Sequence, residues 1–142
     1  MNKALLFLSA FLLAAAPCLA LSDAEYRELK ESSPGFRDAD RQLGGIWKRV
    51  MKLAKGQSRK DLLEAQRCWI NAERDEWAAE FMEAGLGRAF AYKRATIRRI
   101  HQLEADEHNL AITPRDLETG RARPYSYHYM ERDSDFPGSY KK

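Results

Sequence analysis

The stretch FRDADRQLGGIWKRVMKLA, from Phe36 to Ala54, decides the fold. Its apolar residues Phe36, Ala39, Leu43, Ile46, Trp47, Val50, Leu53 and Ala54 recur at steps of three and four, which gathers them on one face of an α-helix. Gly56 is placed to stop that helix. The pair Gly44-Gly45 falls mid-helix, where each glycine costs about 1 kcal/mol relative to alanine. Either the helix bends there or another backbone comes close.

Working outward, Ser58 reads as the cap of a second helix with Asp61 in its first turn, and Leu62, Gln66, Trp69, Ile70, Trp77, Phe81 and Ala84 form its apolar face. Gly85-Leu86-Gly87 ends it. A third helix begins at Arg88, presents Phe90, Ile97, Ile100 and Leu103 with His101 beside them, and fades near Asn109. The connections are short, so neighbours are expected to run antiparallel. Before these helices, Ser22 and Glu25 have the capping-box spacing, which predicts a short helix from Asp23 towards Lys30, ended by Ser32-Ser33-Pro34-Gly35. After Thr113-Pro114 the helical period is lost, and Tyr125, Tyr127 and Tyr129 alternate in a stretch that places three rings on one side, either docked on the helices or presented to a partner. The expected fold is all-α: a small antiparallel three-helix arrangement with a short N-terminal helix and an irregular C-terminal tail. Its parts are a capped segment over 21–35, the helical domain over 36–109 and the tail over 110–142.

Residues 1–20 read as a signal peptide. Lys3 supplies a positive start, an uncharged apolar run follows from Ala4 to Ala16, and Cys18-Leu19-Ala20 puts small residues at the −3 and −1 positions of a cut after Ala20. Pro17 interrupts the run short of the roughly 20 residues a membrane span needs, so no stable membrane anchor is expected. Lipidation at Cys18 competes with simple cleavage, although Pro17 stands where a lipidation site wants a small residue. The expected location is periplasmic or secreted. Cleavage after Ala20 leaves Cys68 as the one cysteine, so stability must come from packing; beside Trp69 and Ile70, it reads as a small buried hydrophobe, with pairing between two chains as the alternative.

At 142 residues, 44% hydrophobic and 32% charged, the chain is one domain at most, and collagenous, fully disordered and multi-domain classes drop out. Eight Gly, five Pro and two Cys exclude a low-complexity chain, a disulfide scaffold and a cysteine-rich zinc site. Catalytic signatures are missing. His101, Glu104 and His108 fall at helical steps that let them face one way and touch a metal, but two His and one Glu at the end of one helix are read as a solvated face, and no metal or cofactor is expected. Gly85-Leu86-Gly87 is not followed by a phosphate-binding signature. No enzyme activity is expected.

Charge is segregated instead. Residues 41–60 hold seven basic and no acidic side chains, whereas 61–87 hold seven acidic and two basic. Lys48, Lys52 and Lys55 form a basic stripe, and Glu73, Glu76, Glu80 and Glu83 an acidic one lying about 100° round from Trp77 and Phe81. The acidic stripe either pairs internally, Glu73, Glu76 and Glu80 meeting Arg98, Arg94 and Lys93, or docks a cationic protein. Export argues against nucleic acid as a partner of the basic stripe, and anionic lipid or envelope polymer would be its polyanion.

Three segments carry a resemblance. Ala39-Asp40-Arg41-Gln42-Leu43-Gly44-Gly45-Ile46-Trp47, Ala65-Gln66-Arg67-Cys68-Trp69-Ile70 and Thr96-Ile97-Arg98-Arg99-Ile100-His101-Gln102-Leu103 together resemble the LprI-like lysozyme inhibitor family, over about residues 36–104. Asp40, Leu43, Trp47, Gln66, Arg67, Trp69, Thr96, Arg99 and Leu103 fall on its pattern. Gly44 departs from the asparagine favoured there, the Arg-Asp pair is displaced to Arg74-Asp75, and the family cysteines would fall near Trp77 and Ala91. The resemblance implies a small exported helical protein that blocks a lysozyme. Gln66, Arg67, Trp69 and Arg99 are read as architecture tying helices together. Because animal-type lysozymes are typically cationic, the expected partner-binding face is Glu76, Glu80 and Glu83, bordered by Tyr125, Tyr127 and Tyr129. A periplasmic interaction or immunity-type protein that binds another toxin or envelope protein is the alternative.

Overall fold

The computed structural model describes residues 21–125, so the leader and the stretch holding Tyr127 and Tyr129 lie outside the described residues. Every described element is helical, which bears out the all-α reading: α1 (Asp23–Ser32), α2 (Pro34–Leu53), α3 (Gly56–Cys68), a π-helical turn (Trp69–Glu73), α4 (Arg74–Glu83), α5 (Arg88–Ala111) and α6 (Pro114–Glu118). No helix among the described residues is long and apolar enough to cross a membrane.

Local chemistry sets most boundaries. The Ser22 hydroxyl accepts the Glu25 N–H at 3.3 Å, and Glu25 returns the favour to the Ser22 N–H at 2.9 Å, closing the expected box on α1. Ser33 is both the C-cap of α1 and the N-cap of α2, and Pro34 takes the first turn of α2, where a missing N–H costs nothing. That helix therefore starts two residues before Phe36. It closes at Leu53, and Gly56, expected as its stop, instead opens α3 with φ +56°, ahead of Ser58, the expected cap. Gly44 and Gly45 neither break α2 nor admit a second backbone: a Cβ on Gly44 would meet nothing within 4 Å.

The middle rod, formed by α3, the π-helical turn and α4 in one run, departs most from expectation. The Arg74 N–H reaches back five residues to the Trp69 carbonyl, so one turn of the rod holds an extra residue. Without it, the face that buries Leu62 and Trp69 would continue through Glu73 and Glu76. With it, the face is rotated by about 100°, and Asp75 and Ala78 are buried while Trp77 and Phe81 are half-buried. Ile70 is left 45% exposed, against the apolar-face reading.

Direction follows from the partners across the core. Lys93 lies against Gly35 and Arg49 pairs with Glu107 at 2.8 Å, so α2 and α5 run parallel. Gln66 meets Arg99 and Asp75 meets Tyr92, so the rod between them runs the opposite way. One core cluster joins Leu43, Ile46 and Val50 of α2 to Leu62, Trp69, Ile100 and Leu103, and a second joins Leu21, Leu29 and Phe36 to Ala78, Ala91, Tyr92 and Ala95.

Glu25 also joins α1 to α5 through Arg88, at 2.7 Å. The Ser22 backbone N–H first, then Arg88 and the Ser22 hydroxyl, pull the Glu25 carboxyl from 4.5 down to about 2. A depressed carboxylate contributes stability that is fully present above its ordinary pKa and lost as pH falls through the folded value. Carbonyl-carbon NMR titration of Glu25 is expected to give a midpoint near 2, moving upward in Arg88→Ala; an ordinary midpoint in the parent would contradict the bridge.

Candidate functional site

Two surfaces collect the residues singled out above. The first is the acidic edge of α4, where Glu76, Glu80 and Glu83 are exposed and Glu73, just before them, is half-buried. Internal pairing occurs here with a shifted partner: Arg98, expected to meet Glu73, reaches Glu80 at 3.4 Å, the carboxylate remaining 63% exposed. The other expected partners are engaged with rings, Arg94 over Phe81 at 5.5 Å and Lys93 over Phe90 at 5.6 Å. Arg98 itself lies 5.1 Å from both Trp77 and Phe81, so its guanidinium spans the aromatic flank of the edge while touching its carboxylate.

Tyr125 does not border this edge. Its ring stacks on His108 at 3.8 Å and its backbone exchanges hydrogen bonds with the Asn109 side chain, at 2.8 and 3.1 Å. This holds it about 15 Å further along α5 than Arg98, at ~1.5 Å per residue. The chain is docked as far as Tyr125; Tyr127 and Tyr129 lie outside the described residues.

The second surface is a groove of about 590 Å³ between α1, α2 and the π-helical turn. Asp40, Leu43, Gly44, Trp47, Gln66 and Trp69 of the quoted motifs line it, together with Tyr26, Ile70 and Arg74. Asp40 is a clasp rather than an open carboxylate: it accepts the Tyr26 hydroxyl and pairs with Lys30 at 3.0 Å. Burial, then the bond to Asp40, pushes the Tyr26 phenol well above the usual tyrosine range, so it stays a donor. Arg74 lies over Tyr26 and Trp69, at 5.9 and 5.7 Å. The turn that carries Trp69 is thus stacked against α1 by the first cation of α4.

The other motif residues are architectural. Gln66 accepts from Arg99 at 3.1 Å, Gln102 accepts from the same buried guanidinium at 2.9 Å, Thr96 donates to the Tyr92 carbonyl at 2.8 Å, and Leu103 is fully buried. Arg67, expected as a second tether, is exposed, and so is Cys68, expected to be buried. The reason is rotational: each residue turns the helix by 100°, and when Trp69 takes the inward position its predecessors point away. His101 corrects the solvated-face reading, being only 6% exposed. Among the described residues no three His, Cys, Asp or Glu side chains gather into a metal-binding group.

Sequence reasoning missed Tyr26, Tyr92 and the buried Asp75, which accepts the Tyr92 hydroxyl at 2.8 Å. The displaced Arg74-Asp75 pair was the available signal. Fold and surfaces together define an all-α protein with an acidic edge and an aromatic-sided groove. The chain matches no family model, and neither a curated protein nor a solved structure matches it.

Gly44 opens the groove wall at an exposed helical position with free space where a Cβ would go. Gly44→Ala is expected to raise stability by about 1 kcal/mol in urea unfolding, through helix propensity and a less flexible unfolded chain. A loss of stability would show that the glycine is needed for the fold.

Proposed function

We propose that the chain is an exported, non-enzymatic binding protein of the lysozyme-inhibitor type, which occludes a cationic cell-wall hydrolase. The observation that carries this reading is the exposure of Glu76, Glu80 and Glu83 along one edge of α4, with aromatic side chains and Arg98 flanking them. Aligned, hydrated carboxylates accelerate encounter with a basic protein, and the rings beside them offer area to bury once contact is made. The LprI-like motifs add support because Asp40, Leu43, Trp47, Gln66 and Trp69 line one groove and Arg99 is tied to Gln66. The mechanism is steric and electrostatic, and the chain itself moves no proton and breaks no bond. Export places it in the periplasm or outside the cell, where such hydrolases act.

Purified chain beginning at Leu21 is expected to slow lysis of bacterial walls by an animal-type lysozyme. The Glu76→Gln, Glu80→Gln, Glu83→Gln triple variant should associate at least about tenfold more slowly, and the parent should lose on-rate as salt rises. Inhibition by both chains alike would keep the function and move the contact elsewhere; no inhibition and no binding at low salt would overturn the reading. A second reading, an interaction or immunity-type module for another envelope protein, draws on Ile70, 45% exposed where it lines the groove. It predicts binding that salt does not weaken.

A further inference from the structure

We propose that removal of the leader creates a structural ligand for the fold: the α-ammonium of Leu21, seated on the buried carboxylate of Asp75. The position of the cut rests on the export reading, whereas the receiving site comes from the geometry.

Leu21 is 8% exposed and packs in the core cluster with Leu29, Phe36 and Tyr92. Its backbone nitrogen lies 3.2 Å from Asp75 Oδ1, across 54 residues of sequence. Asp75 is equally buried, and the Tyr92 hydroxyl donates to the same Oδ1. Asp75 Oδ2 is buried and, among the described residues, accepts from no group. A peptide N–H brings one proton and no charge to this carboxylate, leaving a buried oxygen unsatisfied at considerable cost.

Hydrolysis changes what that nitrogen offers. Water adds across the Ala20–Leu21 peptide bond under an exported peptidase: the Ala20 carbonyl carbon takes the oxygen and departs as a carboxylate. The Leu21 nitrogen keeps the electron pair of the broken bond and becomes an ammonium with three N–H donors. The same atom then holds Oδ1, has a donor to spare for Oδ2, and meets the carboxylate charge with its own. A paired and fully hydrogen-bonded ion is tolerated at this depth where a half-satisfied one is not.

The surrounding charges allow this. Arg74, next to Asp75 on α4, is stacked over Tyr26 and Trp69. From α5, Tyr92 donates to Asp75 and has Arg88 over its ring at 6.0 Å. Asp23 and Tyr26 of α1 and Asp40 of α2 line the adjoining groove with Leu21, and Asp40 is held by Tyr26 and Lys30. Asp75 is the acceptor in hydrogen-bonding contact with the nitrogen.

The test compares two chains, one released from a fusion so that it begins at Leu21 and one that retains Ala20 and so keeps a peptide N–H at Leu21. At pH 6.5 the first is expected to have a folding constant about tenfold larger, equivalent to a one-unit rise in the amine pKa. Because the amine is raised by folding, the advantage is complete below its ordinary pKa of about 7.7–8.0 and fades as pH climbs through the higher folded value. Asp75→Asn should abolish the difference between the two chains. Should that variant not fold, nitrogen NMR of ¹⁵N-labelled Leu21 gives the result directly: an amine titrating above the ordinary range in the folded parent and within it in urea. Equal stability of the two chains, or an ordinary amine pKa in the folded chain, overturns the site. Intact mass of the exported full-length chain reads the cut separately, and a start at Cys18 or elsewhere overturns the processing step without touching the comparison at Asp75.

Discussion

An α-helix repeats its inward face every 3.6 residues, and between Trp69 and Glu73 this protein breaks that rhythm by one residue. Everything downstream on the rod depends on the break. Continued without it, the face that buries Leu62 and Trp69 would carry Glu73 and Glu76 into an apolar core, at a desolvation cost no partner there offsets. The π-helical turn leaves Glu76, Glu80 and Glu83 at the surface and brings Ala78, Trp77 and Phe81 round to the second core cluster. The same rotation produces the acidic edge and completes the core, so the candidate binding face is a by-product of packing. Sheltering the widened turn falls to Arg74, stacked over Trp69 and Tyr26.

The polar side chains inside the molecule serve as tethers between elements. Asp40 holds Tyr26 and Lys30 of α1, Gln66 holds Arg99 of α5, and Asp75 holds Tyr92. Each tether links residues on different helices, and where the group is buried, as Arg99 and Asp75 are, removing its partner strands it at several times what an exposed pair contributes. The quoted motif residues therefore describe how the helices are fastened. Those on α2 and the rod sit around the groove because that is where α1, α2 and the π-helical turn converge.

Much of this was legible in the chain. The three-and-four spacing from Phe36 to Ala54 gave the inward face of α2, and Phe36, Ala39, Leu43, Ile46, Val50 and Ala54 are all buried. Ser22 and Glu25 marked the start of α1 because a capping box needs only local spacing. The readings that failed depended on rotation or on distant contacts. Cys68 and Ile70 flank an inward tryptophan but point outward, and the clue was the eight-residue gap from Trp69 to Trp77 where a regular helix wants seven. His101 is 6% exposed, a burial that the helical period alone does not decide. Asp75 looked like any surface carboxylate, since its partners Leu21 and Tyr92 are 54 and 17 residues away.

On the LprI-like reading, the family cysteines would fall near Trp77 and Ala91, one on α4 and one on α5. Both belong to the same core cluster, Ala91 fully buried and Trp77 packed against it from the side. A disulfide between two such positions would close a loop of about 15 residues and contribute about 3 kcal/mol, chiefly by restricting the unfolded chain. Burying roughly half of an indole, about 100 Å² of apolar surface, contributes about 2.5 kcal/mol by a different route, acting on the folded state. The two solutions are close in size but respond differently to their surroundings. A staple of sulfur depends on the redox state of its compartment, whereas Trp77 holds α4 to α5 wherever the chain folds, and its outer side remains available to Arg98 and the acidic edge beside it.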